Sequence, residues 1–99
     1  MIRAIAFHDF EEFNDTRQAG SFHLSKPNSN GCHDFWYCCP CGCRCVTALV
    51  VGREFKPDLV GHATWNLCGP EGSPTLKPSV NHVDHWHGWL RDGYWEVCA

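Results

Sequence analysis

Five of the eight cysteines fall between positions 38 and 45, in the run Phe35-Trp36-Tyr37-Cys38-Cys39-Pro40-Cys41-Gly42-Cys43-Arg44-Cys45. Thiols this close pair poorly with one another, because an unstrained disulfide wants Cβ atoms about 3.5–4.5 Å apart at a dihedral near 90°. A metal ion asks for less: thiolates presented from a turn converge on one ion at about 2.3 Å. The spacing therefore reads as a knuckle for tetrahedral zinc, with glycine permitting the turn. Two registers overlap, Cys38-x-x-Cys41-Gly42 and Cys39-Pro40-Cys41-Gly42-Cys43, and at most three of these thiols can share one ion. The remaining ligand has to come from elsewhere. His82-Val83-Asp84-His85-Trp86-His87 is the obvious source, since His85 and His87 face the same side of an extended strand. Asp84, Cys68 and Cys98 are further donors. A Rieske-type cluster needs paired Cys-x-His and Cys-x-x-His spacings, which these residues do not supply.

The whole chain favours metal over disulfides. Its 99 residues make one small domain, of a size that gains from a staple. The stretch from Met1 to Asp9 lacks a signal-peptide apolar core, and no run approaches the roughly 20 apolar residues of a membrane span. The expected setting is a reducing cytoplasm, where clustered cysteines bind metal. The formal charge of −3, with no Lys/Arg run, argues against a nucleic-acid module. Without a basic stripe the five tryptophans read as core. His8, His23, His33 and His62 read as ordinary surface or core histidines.

The elements that must position these groups are mostly strands. Ile2–Phe7 suits a first strand, Asp9–Arg17 a polar loop or else one short helical turn, with the loop favoured, and Ala19–Leu24 a second short strand. Ser25 to Gly31 is turn chemistry throughout. Phe35–Tyr37 and Arg44–Val51 flank the knuckle, and the β-branched run of the latter is a strong strand pattern. His62–Leu67 is a further strand with Trp65 inward. His85–Leu90 and Tyr94–Val97 flank Asp92-Gly93, a hairpin turn. No 3.6-residue periodicity is sustained. The expected fold is mainly β: a small antiparallel sandwich or partly open barrel with a zinc knuckle, forming one domain over residues 1–99.

The order of motifs adds a resemblance. Cys39-Pro40-Cys41-Gly42-Cys43, Trp65 on its strand, Pro74-Thr75-Leu76-Lys77-Pro78-Ser79-Val80, then His87-x-Trp89-Leu90-Arg91-Asp92-Gly93 resemble a family of small bacterial and phage proteins. That family reads roughly CPCGC, a tryptophan strand, PTLxPSI and CxxH. Some members accompany bacterial ubiquitin-like conjugation operons, where they are regarded as peptidases, the BubE group. The resemblance covers residues 35–98 and leaves residues 1–34 as an extension. Where the family has its second cysteine, this chain has Asp84, which can ligate zinc through oxygen, or whose role His85 takes over.

The resemblance also implies a catalytic pairing. Ser79 would be the nucleophile and His87 its base, with Asp84 or Asp92 orienting the imidazole and knuckle amides facing an oxyanion. Two functions are therefore in play. One is a zinc-stapled β module, an accessory or structural interaction protein of a phage or bacterium, with protein partners in a larger assembly such as a virion. The other is a small peptidase-like hydrolase using Ser79 and His87. Neither expects nucleic acid or membrane as a partner.

Overall fold

Short β-branched and aromatic runs, punctuated by Gly, Pro and Asn, give the described residues strands and one short helix. The computed structural model describes residues 2–82 and 85–97. In chain order the elements are β1 (Ile2–Arg3), α1 (Phe10–Thr16), β2 (Phe22–Leu24), β3 (Cys32–Cys38) and β4 (Val46–Arg53). They continue with β5 (Thr64–Cys68), β6 (Thr75–Lys77), β7 (Val80–His82), β8 (Trp86–Arg91) and β9 (Tyr94–Val97). One sheet runs β1-β9-β8-β7 and the other β2-β3-β4-β5-β6. Among the described residues the fold is mainly β, with two sheets and no closed barrel. Between the named strands pairing is antiparallel except for β4 and β5, where Val50 meets Thr64 and Val51 meets Trp65 in parallel.

The two sheets share a core. Phe22, Phe35, Tyr37, Val51, Leu67 and Leu76 come from the larger sheet, and Val80, Trp86, Leu90 and Trp95 from the smaller. Trp95 is the hinge of this packing: its ring lies 5.2 Å from Tyr37 and 5.4 Å from Trp86, the latter edge-on. Its indole N–H, which would be costly to bury unpaired, donates to the Gly20 carbonyl at 2.9 Å. Fully burying aromatic and aliphatic side chains of this kind stabilises by about 1.5–3 kcal/mol each before the entropy of ordering them is charged.

Two expectations about the N-terminal third need correction. The first strand is only Ile2–Arg3, with Ala6 adding an isolated bridge to Phe22. Residues 10–16, where the sequence favours a loop over a helical turn, form α1. Asp9 caps it, its carboxylate accepting the Glu12 N–H at 3.1 Å, and Arg17 closes it in a left-handed conformation at φ 47°. The helix is held by aromatic packing on the outer face of β2 and β3. Phe10 sits 5.1 Å from Trp36 and 5.5 Å from His23, both edge-on, and Phe13 is fully buried.

Asp92 and Gly93 both have positive φ (49° and 85°) and join β8 to β9 in the two-residue turn expected of them. Beside it, β7 and β8 are in the register Val80–Gly88, Asn81–His87 and His82–Trp86. Val80, Trp86 and Leu90 turn inward, which leaves His87, Trp89 and Arg91 on the outer face. Gly88 admits no side chain: a Cβ there would meet the Glu96 carbonyl and the Trp86 ring.

Candidate active site and metal centre

The end of β3 and the start of β4 are bridged by the cysteine turn. The Cys39 N–H donates to the Cys45 carbonyl at 2.9 Å and the Gly42 N–H to the Cys39 carbonyl at 3.2 Å. Gly42 and Arg44 take the positive φ values (88° and 66°) that fold the run back on itself. This curl brings Cys39, Cys41 and Cys43 to one point, and His85, just ahead of β8, completes the group. The four ligand atoms all lie within 4.8 Å of one another, and the Cys39 and Cys41 sulfurs are 3.2 Å apart. Sulfurs around a tetrahedral zinc at about 2.3 Å stand about 3.8 Å apart, so the donor set fits such an ion after shifts of under about 1 Å. The cluster could hold a metal ion.

Strand parity explains which cysteines take part. Tyr37 and Cys39 belong to the inter-sheet core, so Cys38 points the other way and lies outside the four-donor group. Burial pushes the Cys38 thiol up from its ordinary value, as it does Cys39, to about 12. Exposed Cys43 is held down to about 6, chiefly by the Cys45 backbone N–H. Cys45 hydrogen-bonds the Cys43 thiol, which raises its own pKa. Cys68 lies on β5, its thiol 3.1 Å from the Asn66 side-chain oxygen. Asp84 and Cys98, both named as candidate donors from the sequence, lie outside the described residues. The His82 ring stacks 4.6 Å from that of His85, and burial together with that neighbour holds its pKa down.

His87 is not in the metal group either; it belongs to a second arrangement. Its Nε2 lies 3.5 Å from Ser79 Oγ. Ser79 immediately precedes β7, diagonally across from His87, both on the outer face. The gap exceeds a formed O–H···N bond by roughly half an ångström, a looseness usual before substrate binds and closed by rotating the serine. A side chain of the opposite sheet holds the serine backbone: the Trp65 indole N–H donates to the Ser79 carbonyl at 3.1 Å. Asp92 is no orienter of His87. It sits past the far end of β8, about 16 Å along the strand, with its N–H on Thr75 Oγ1. The knuckle amides of Cys39 and Gly42 are already committed to carbonyls, so the expected oxyanion donors do not include them.

Residues of both arrangements, Cys41 and His85 from the first and His87 from the second, line a groove of about 800 Å³ together with Pro40, Trp86 and Trp95. Because His85 and His87 stand two residues apart at the start of β8, the group that ends in His85 also fixes the approach of His87. Sequence reasoning found both histidines but had no means of assigning them to different tasks. It did not find the Trp65 contact, whose only signal was an inward tryptophan.

The family model described as "Bacterial ubiquitination-like system serine protease (BubE)" matches residues 9–98. The chain belongs to the BubE family. The match begins at Asp9, well ahead of the motif-bearing region 35–98, and so takes in α1 and β2. Comparison with curated proteins and with solved structures returned no match. Among the described residues no helix is long and apolar enough to cross a membrane.

Proposed function

We propose that this chain is a small serine peptidase acting on a protein of a bacterial ubiquitination-like system, with Ser79 as nucleophile and His87 as general base. The observation that carries the reading is the 3.5 Å approach of Ser79 Oγ to Nε2 of His87, a residue that lines the groove, in a member of a family described as serine proteases. Ser79 Oγ attacks the scissile carbonyl carbon while His87 Nε2 takes its proton. The imidazolium then returns that proton to the leaving amine as the C–N bond breaks. Water, deprotonated by the same imidazole, attacks the acyl-serine ester, releases the acid and restores Ser79. The Trp65 hydrogen bond fixes the serine backbone through both steps.

Zinc is the ion assigned to Cys39, Cys41, Cys43 and His85. Three thiolates and an imidazole make a closed donor set, so its contribution is structural: it staples the β3–β4 turn to the start of β8. The zinc-stapled module and the peptidase are thus two aspects of one protein, with the metal serving the fold and the dyad serving the reaction.

The test is hydrolysis of a quenched-fluorescence peptide library by the purified chain beside Ser79→Ala and His87→Ala. Each variant should lose at least about 10³-fold in kcat/KM, and the double variant should lose little more than either single one, because the two residues act as a unit. Turnover that survives Ser79→Ala would overturn the assignment.

A further inference from the structure

The metal and the dyad use only part of the groove beside the knuckle. Cys41 and His85 belong to the donor group, and His87 serves the serine. What remains is apolar: Ile2, Pro40, Trp86, Trp95 and Val97. None of the described lining residues is an acid, a lysine or an arginine. Trp86 and Trp95 are core residues, so they give the groove a packed floor. Ile2 on β1 and Val97 on β9 are 39% and 73% exposed, which leaves apolar surface of the lining facing water. Uncovered apolar side chains around a concave site mark a place where an apolar group binds.

Which part of a substrate enters the groove follows from the direction of proton transfer. His87 hands its proton to the leaving amine, so that nitrogen must come within about 3 Å of Nε2. The Cα that carries the side chain is one bond further on. His87 walls the groove, whereas Ser79, which holds the acyl group, is not among the described lining residues. The groove therefore lies on the leaving-group side of the scissile bond. Its volume of about 800 Å³ leaves room for a bulky side chain.

We infer that this groove is the subsite for the residue that supplies the leaving amine, and that it takes a bulky apolar side chain: Leu, Ile, Met or Phe. The inference rests on the peptidase reading of Ser79 and His87 and adds to it a class of substrate. A glycine in that place would leave the apolar walls wet, and Asp or Glu would bring a charge against them.

The experiment uses the full chain, acylated on Ser79 by a small uncharged nitrophenyl ester in the presence of amino-acid amides at equal concentration. An amide seated in the groove attacks the acyl-serine carbonyl through its amine nitrogen. The new C–N bond forms as the C–O bond to Ser79 breaks, and the amine's proton passes through His87 to Ser79 Oγ. The ratio of amide product to hydrolysed acid is internal to each acyl-enzyme, so it does not depend on the active fraction of the protein. Leucinamide and phenylalaninamide should capture the acyl group at least about 10-fold more than glycinamide, a margin that burying such a side chain readily supplies. In Ile2→Glu/Val97→Glu that margin should vanish and lysinamide should overtake leucinamide. Equal capture of leucinamide and glycinamide, capture of neither, or an apolar preference that survives the double substitution would overturn the subsite while leaving the dyad in place. Absence of an acyl adduct on Ser79, read by mass spectrometry after acid quenching, would overturn the peptidase reading itself, and the subsite with it.

Discussion

At the scale of single residues, environment divides the cysteines into groups that composition treats alike. Cys43 is exposed and held down to about 6 by a backbone donor, whereas Cys38 and Cys39 are buried and pushed upward. With metal removed by a chelator, iodoacetamide at pH 7 should therefore modify Cys43 first and Cys38 and Cys39 last, as read by peptide mapping. The thiolate is the reactive form, so lowering the pH through about 6 should slow Cys43 modification as the thiol regains its proton. Modification of Cys39 ahead of Cys43 would contradict this ordering. The knuckle's existence was legible in the spacing of its cysteines. Its membership was not, because Cys38 and Cys39 fit overlapping registers and only the parity of β3, which sends Tyr37 and Cys39 inward together, separates them. His85 and His87 presented the same difficulty: two identical side chains two residues apart, one reaching the sulfurs and the other the serine.

At the scale of elements, the nucleophile depends on a contact between sheets. Trp65 leaves β5 and donates across to the Ser79 carbonyl, so Trp65→Phe keeps the aromatic packing and removes one hydrogen bond. The expected cost is about 1 kcal/mol, a fall in Tm of roughly 4–8 °C, together with slower acylation of Ser79 by a small ester at unchanged metal content. A variant with lowered Tm but wild-type acylation would reduce Trp65 to a packing residue. The strands that carry the dyad were only partly legible. The Asp92-Gly93 turn announced β8 and β9, and the β-branched run announced β4. But β6 and β7 are three residues each, too short for alternation to register, and they are defined by their partners rather than by propensity. Helix α1 ranked behind a loop for a related reason. Seven residues with two phenylalanines give no periodicity to count, and what makes them helical is the Asp9 cap and the aromatic shelf formed by Trp36 and His23.

At the scale of the whole molecule, two small sheets share one aromatic core, and the cysteine turn after β3 of one lies against His85, just ahead of β8 of the other, where a bound metal would tie them. Cys41 offers a clean test of that tie because its side chain is exposed. An exposed Cys→Ser change costs within about 0.5 kcal/mol if nothing is bound, so a fall in Tm of more than about 10 °C in Cys41→Ser, matched by chelation of the wild type, would report metal-coupled folding. An unchanged Tm would remove the staple from the account. The mainly β class followed from composition and turn chemistry, while the parallel β4–β5 step did not, since parallel pairing depends on a crossover rather than on a local signal. The claim on which the function rests is that Ser79 is made nucleophilic by His87, and the most direct measurement is intact and peptide-level mass spectrometry after exposure to a fluorophosphonate. The account predicts a single adduct on Ser79 that forms at least about 10³-fold more slowly in His87→Ala. An adduct elsewhere, no adduct, or equal rates with and without the histidine would contradict it.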